Sequence, residues 1–513
     1  DAFVSVDILR LFIDLYGSLV GVRAVHQPLG RNRGQYPGQL RDLGNIGLPV
    51  EDRAARIQAQ REPGGCPFEA GPADCRRLLV LYEGVVVRQK VEGLHVLPLA
   101  GGNRGTDRAN IVAEMRRAGG GDASEMSFHG VVVYRGRWSI LTVSPTRMIS
   151  IVPLSTRLYR THIETLKNRY ACGLDRAGGE AVLIGAGMPV LIHRDDQDHP
   201  YRPEPLFVQW APLAAHPGSA LLFRPGRKPV LFVHVPDDFW HQAAPVPRGP
   251  WDKFIDIRVV RDRAALAKAC ARLRHLVMLG DPAQWRGLGL KGTANPKPML
   301  TCLDYDRAWK TGWEVECLRE ATRLGLAGHR AVRSGFDAGC SEYELGLLFL
   351  AACGQTDAEL PYPAIVAINR NGATLHYQHR ERIRLPRGER HSLLLDAGCT
   401  HSGYASDITR THAARRGEFA TMVRDMHAVQ QRLCALVRPG VAFPELQLAA
   451  HREIAGLLAR WDLVRMSPDA MLAAHVTDHF MPHGLGHLLG LQVHDVGGDL
   501  AGPGGGNLPR PAR

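Results

Sequence analysis

Several things are missing from these 513 residues, and each absence removes a class of protein. No run of eighteen or more uncharged apolar residues occurs, so no transmembrane helix is predicted. The most apolar stretches, such as Ala181 to Ile192, are broken by glycines and suit a buried strand. No basic-then-apolar leader opens the chain, which begins on Asp1 rather than Met. Lysine is scarce early on: only Lys90 precedes Lys167. The positive excess, 63 Lys and Arg against 51 Asp and Glu for a net +12, is therefore mostly scattered arginine. With no basic run of five and no nucleic-acid motif, it reads as a compositional bias and not as a DNA- or RNA-binding surface. The ten cysteines lie far apart with no Cys-x-x-Cys, which predicts reduced thiols and a cytoplasmic protein.

What is present is a globular composition, 45% apolar and 22% charged, long enough for two to four domains. Residues 1–155 are rich in Gly and Arg and poor in periodicity. Leu78–Tyr82 and Val131–Tyr134 could be strands, but the stretch reads best as a poorly ordered or spurious extension. Residues 156–309 alternate strand and helix patterns. Ala181–Ile184 is a buried strand, and Ala220–Phe223 and Pro229–Val233 flank a Pro225-Gly226 turn as a hairpin. A helix follows over Asp262–Leu273 and a strand over Leu276–Leu279, giving an α/β domain on a mixed sheet. Residues 310–498 read as α+β, with helices covering a curved antiparallel sheet. The helices start near Lys310, run over Phe419–Leu436 and span Leu446–Leu457; the strands are Ile365–Ile368, Leu393–Leu395 and Gly403–Thr411. After Gly498 the run Ala501-Gly502-Pro503-Gly504-Gly505-Gly506 predicts an unstructured tail over 499–513.

The sharpest chemical feature is Leu393-Leu394-Leu395-Asp396-Ala397-Gly398 followed by Gly403-Tyr404-Ala405-Ser406-Asp407. A hairpin centred between His401 and Ser402 would set Asp396 directly opposite Asp407. Opposed Cβ atoms lie about 4.5–5.5 Å apart. Two carboxylates that close repel by about 3–4 kcal/mol at an effective dielectric near 20, unless they share a proton or a cation. Hard oxygens at that spacing suit one or two divalent ions. The pair reads equally as a turn aspartate and a solvated strand residue. The segment Pro482-His483-Gly484-Leu485-Gly486-His487-Leu488-Leu489-Gly490-Leu491-Gln492-Val493-His494-Asp495 decides between these: three histidines among glycines and leucines favour a ligand site. Leu375-His376-Tyr377 adds a fourth histidine in an apolar setting.

The set His376, Asp396, Asp407, His487 and His494 resembles the pita-bread metallopeptidases, in particular the bacterial Xaa-Pro dipeptidase (prolidase) branch. Tyr159–Leu166, Asp198-His199-Pro200-Tyr201, Asp238-Phe239-Trp240-His241, Lys310–Glu314, Leu360–Ala367 and Phe480–His483 resemble that branch too, so the likeness covers about Leu158 to Gly498. The resemblance implies an α/β N-terminal domain, a pita-bread C-terminal domain and hydrolysis of Xaa-Pro dipeptides by two divalent ions, usually Mn²⁺. It also implies a homodimer, with no nucleic-acid or membrane partner. By resemblance, Asp396, Asp407 and His487 are metal ligands, and His376 and His494 steady the tetrahedral intermediate. Tyr362, Leu375, His483 and Val493 line the pocket, and Asp198 reaches the partner subunit's pocket.

One departure from the family pattern carries an expectation of its own. The family has two further glutamate ligands, yet no glutamate follows Glu453. Two ions carry +4, Asp396 and Asp407 supply −2, and a neutral His487 supplies nothing. The chain thus reads as a prolidase cut short, with an incomplete metal site, impaired activity and only Asp495 and Asp499 as remote substitutes. The alternative is a catalytically inactive pita-bread protein that acts as a binding module.

Overall fold

A computed structural model describes residues 128–134, 137–143, 155–237, 239, 245–246 and 248–508. The reading of residues 1–155 as unstructured lies outside the described residues, save for one hairpin. Strand β1 (Phe128–Tyr134), which contains the expected Val131–Tyr134, pairs antiparallel with β2 (Arg137–Val143). It falls in a unit separate from the rest of the described chain.

The larger unit opens on α1 (Thr156–Ala177). Ser155 caps its first turn, and Gly178 ends it at φ 64°, a left-handed position that glycine occupies without strain. Tyr159, Ile163, Leu166, Tyr170 and Leu174 recur along one face and are all buried. They pack on the six-stranded sheet formed by β3 (Ala181–Gly185), β4 (Ala220–Phe223), β5 (Val230–His234), β6 (Asp256–Val260), β7 (Leu276–Leu279) and β8 (Gly292–Ala294). The strand order is β6-β5-β4-β3-β7-β8. The sheet is mixed, as expected: β3–β4 and β4–β5 run antiparallel, while β3–β7, β5–β6 and β7–β8 run parallel. The short helix α2 (Pro205–Val208) lies between β3 and β4. Asp262 caps α3 (Arg263–Cys270), and α4 (Lys297–Arg307) closes this half.

The second half begins with α5 (Gly312–Ala338), opened by a capping box between Thr311 and Glu314. Its neighbour α6 (Glu342–Cys353) packs closely because Gly328 carries no side chain. A Cβ there would come within 2.5 Å of the Phe349 ring and 2.6 Å of Cys353 Sγ. Strands β9 (Ile365–Ile368), β10 (Ser392–Asp396) and β13 (Thr409–Ala413) form an antiparallel sheet in the order β13-β10-β9. Helices α7 (Glu418–Leu436), α8 (Phe443–Arg460) and α9 (Pro468–Ala473) share a second apolar core of Met426, Val429, Ile454, Leu458 and Met471. Among the described residues no helix is long and apolar enough to cross a membrane.

Two expectations change. Gly403–Thr411 is not one strand: β11 (Thr400–His401) and β12 (Tyr404–Ala405) make a small ribbon, and the chain leaves the ladder at Ser406-Asp407-Ile408 before β13. Residues 499–508 are not a loose tail either. Leu500 bridges Asn507, Leu508 N–H donates to Asp499 O at 2.7 Å, and Gly505 and Gly506 take positive φ to close the turn.

The fold also fixes one pH response. The buried His329 on α5 meets Ala397 O at 3.0 Å through Nε2. Burial, the dominant effect, lowers its pKa to about 4; Arg410 adds to this and the carbonyl contact opposes it. Unfolded, the same ring takes a proton as pH falls through about 6.5. Its contribution is therefore complete above that pH, is lost progressively down to about 4, and is flat below. Linkage gives a loss of about 2 kcal/mol at about pH 5. Urea midpoints should fall accordingly between neutral pH and about pH 5. A His329→Gln variant should show a flatter profile, and an equal slope in both proteins would refute the assignment.

Candidate functional site

Register decides where the two aspartates stand. In the β10–β13 ladder Asp396 pairs with Thr409, and in the β11–β12 ribbon His401 pairs with Tyr404. The turn is therefore centred between Ser402 and Gly403, one residue later than expected, and the direct Asp396–Asp407 opposition is corrected to a diagonal one. The cause is local. Ser402 and Gly403 both adopt positive φ, 50° and 83°, the conformation of a tight hairpin turn that takes glycine readily. Slipping the centre by one residue moves every partner by two, which keeps Asp396 and Asp407 on one face. Gly398 then faces the Asp407 segment. A Cβ at that position would sit 1.8 Å from Ser406 O, so only glycine lets the backbones approach this closely.

Asp407 is the hub. Tyr362 OH donates to Asp407 Oδ1 at 2.7 Å, and His487 Nε2 lies 3.2 Å from Asp407 Oδ2. Burial, and then the nearby Asp396 and Asp407 charges, hold the Tyr362 phenol well above its ordinary pKa, so it stays a neutral donor. His487 Nδ1 meets Leu488 O at 3.0 Å. Burial pulls the His487 pKa down, but the Asp407 contact and the Leu488 and Val493 carbonyls outweigh it, and the net shift is upward. His494 stacks edge-on against His487, with ring centroids 4.4 Å apart. Burial, with His487 beside it, moves the His494 pKa down against the pull of Asp407.

Apart from the Val493 carbonyl beside His487, the other candidates are not tied to this hub. His376 is exposed and makes no hydrogen bond or ion pair among the described residues; Leu375 beside it is half-buried. His483 turns toward α8: its Nδ1 meets Gly484 O at 2.9 Å, and its carbonyl accepts from Gln447 Nε2 at 3.3 Å. Val493 packs against the apolar core of the first half. Asp198 is exposed, in a loop where it bridges Leu191. Asp238, Trp240 and His241 lie outside the described residues.

Asp495 is not a spare ligand. Arg307 Nη2 binds its Oδ1, and Lys310 Nζ binds its Oδ2 at 2.8 Å, with the Asp495 and Arg307 side chains buried and Lys310 partly so. Gly490 makes room for it, since a Cβ there would meet Asp495 Oδ2 at 2.0 Å. Ala405 N–H donates to Gly490 O at 2.8 Å, which ties the same segment to β12. The clamp thus holds the His487–Asp495 strap against the start of α5. Sequence reading missed this role because both cations lie about 185 residues upstream.

Two carboxylates and an imidazole are donors of the type divalent ions accept, so the donor chemistry fits a metal. As placed, Asp407 is engaged by Tyr362 and His487. Among the described residues no three His, Cys, Asp or Glu side chains converge on one point.

The fold is that of the pita-bread peptidases. Escherichia coli aminopeptidase P, solved Zn-substituted with product, superimposes with a TM-score of 0.52 at 21% identity, covering 67% of this chain and 82% of that one. Proline aminopeptidase P II from Yersinia pestis gives 0.52 at 23%, over 69% and 86%. Residues 157–305 match the Xaa-Pro dipeptidase N-terminal domain, and residues 316–510 match metallopeptidase family M24. The Xaa-Pro dipeptidase of Aeromonas hydrophila is 43% identical over 357 residues, 69% of this chain and 81% of that protein. That of Stenotrophomonas maltophilia is 40% identical over 357 residues, 69% and 80%. The chain belongs to the Xaa-Pro dipeptidases of the M24 family of metal-dependent peptidases.

Proposed function

We propose that the protein hydrolyses Xaa-Pro dipeptides at the bond before the C-terminal proline. The observation that carries this is Asp407 held between Tyr362 and His487, on the same face as Asp396, in a chain whose first half matches the Xaa-Pro dipeptidase N-terminal domain and whose second half matches metallopeptidase family M24. Asp396, Asp407 and His487 would hold a divalent ion, Mn²⁺ in our reading, which when bound supplies Lewis acidity and an activated water. Tyr362 fixes one oxygen of Asp407 and leaves the other turned toward His487. His494, exposed beside His487, donates to the carbonyl oxygen as charge develops on it. His376 is assigned the companion part on its Leu375-His376-Tyr377 motif alone. Leu375, His483 and Val493 complete the pocket, and Asp198 extends toward a second copy in a homodimer. The free thiols suit a cytoplasmic setting.

The ligand count sets the strength of the site. No glutamate follows Glu453, so Asp396 and Asp407 are the acidic ligands offered. With those two carboxylates alone, the site would hold a single ion weakly and turn over slowly. Calorimetric titration of metal-free protein with Mn²⁺, paired with proline release from Gly-Pro, tests this. The expected result is one weak site whose affinity falls more than about tenfold in Asp407→Asn. Two tight sites with robust turnover would overturn the impaired-site reading. No binding and no turnover would favour the inactive binding module.

A further inference from the structure

The N-terminal half carries a feature that the peptidase site does not use, at the contact between α1 and α4. Gly173 of α1 faces α4 directly. A Cβ there would lie 3.1 Å from Met299 Cγ and 3.8 Å from Leu303 Cδ2. Because glycine stands at that point, the two helices come close. The residues flanking the contact, Cys172 on α1 and Cys302 on α4, meet with their sulfurs 4.0 Å apart. One turn beyond Cys172, the exposed Arg176 guanidinium lies near enough to both thiols for them to raise its pKa, Cys172 foremost.

We infer that Cys172 and Cys302 form a redox-active thiol pair that closes to an intramolecular disulfide in the presence of a small-molecule disulfide such as oxidised glutathione. The asymmetry of the pair sets the order of events. Cys172 is exposed, so its thiolate, the nucleophilic form of a thiol, can reach a small disulfide. Cys302 is buried, and burial, ahead of the neighbouring Cys172 and Asp306, pushes its pKa up to about 11. Cys172 thiolate therefore attacks one sulfur of the glutathione disulfide, forming a mixed disulfide and releasing one glutathione thiolate. Cys302 then gives up its proton and attacks the Cys172 sulfur, releasing the second. In all, two protein thiols lose two electrons and two protons, and one glutathione disulfide becomes two glutathione thiols. The sulfurs must close from contact to a bond of about 2.05 Å, which a side-chain rotation between helices already in contact can supply. Cys353 and Cys399 interact as well, but both are buried, so a small oxidant has no entry there and the pair serves as an internal control.

The test is a tryptic map of the folded full chain after incubation with oxidised glutathione and alkylation of the remaining thiols. The expected product joins the peptide Tyr170–Arg176 to Gly292–Arg307, and dithiothreitol should abolish it. In Cys302→Ser the glutathione adduct should persist on Cys172. In Cys172→Ser, Cys302 should remain unmodified. The inference is overturned by a stable Cys172 adduct with free Cys302 in the unaltered chain, by no reaction at either residue, or by a cross-link that forms only after unfolding. The map of the unaltered protein decides even if a variant fails to fold.

Discussion

Replacing Asp495 by alanine should destabilise the protein by about 3–5 kcal/mol, the cost of removing one partner from a buried ion pair. The side chains are 1% exposed for Asp495, 6% for Arg307 and 11% for Lys310. Taking away the carboxylate removes the direct counter-ion of the buried Arg307 and of the partly buried Lys310. Arg307 would retain its neutral contact to Gln492 Oε1 at 3.1 Å and the weaker attraction of the Asp304 and Glu204 carboxylates. Lys310, the most exposed of the three, can relax its head toward water, so the larger share of the penalty falls on Arg307. Urea unfolding at neutral pH measures the loss. The double variant Arg307→Met with Asp495→Leu should recover much of it, because apolar replacement of a whole buried pair is often neutral. A loss below about 1 kcal/mol in Asp495→Ala would show that the clamp is not formed. The same change should weaken Mn²⁺ binding, since the strap that carries His487 and His494 ends at Asp495.

How much of this was legible in advance depended on whether the governing partner was local. The β4–β5 hairpin announced itself through Pro225-Gly226, because turn chemistry is written within a few residues, and α5 was placed near Lys310, while its Thr311–Glu314 cap went unread. The Asp396–Asp407 relation was half legible. Both residues were known to share a face, but the turn centre was set one residue early. Gly403 was the available signal: a two-residue hairpin turn needs positive φ at its centre, and Ser402-Gly403 meets that need better than His401-Ser402. The departure of Asp407 from the ladder had no sequence signature, since it depends on the close approach of Gly398 to Ser406. Asp495 read as a remote substitute ligand because its two cations, Arg307 and Lys310, lie far upstream in the sequence.

Glu342 on α6 is the second place where one substitution should have a large effect. Its carboxylate is 1% exposed and accepts four hydrogen bonds. Oε1 takes Ile368 N–H at 2.6 Å and Asn371 Nδ2 at 2.9 Å; Oε2 takes Tyr377 OH at 2.6 Å and Glu381 N–H at 2.8 Å. These donors span the end of β9 and the whole loop that carries Leu375 and His376, so one side chain stands in for the missing ladder partners of that loop. In Glu342→Ala the donors at Ile368 and Tyr377 stay buried without an acceptor, at about 1–3 kcal/mol each. The expected total is about 3–5 kcal/mol, because Asn371 and Glu381 can turn part-way to water. Glu342→Gln keeps the shape but presents a donor where two acceptors are needed, so it should cost about half as much. Hydrogen exchange at the Ile368 and Glu381 amides separates a local effect from a global one. In Glu342→Ala both amides should lose protection while those of β3 keep theirs, and in Glu342→Gln only the amide that faces the new Nε2 should. Equal loss across both halves, or unchanged protection at Ile368 in Glu342→Ala, would mean that the loop is held by something other than this carboxylate.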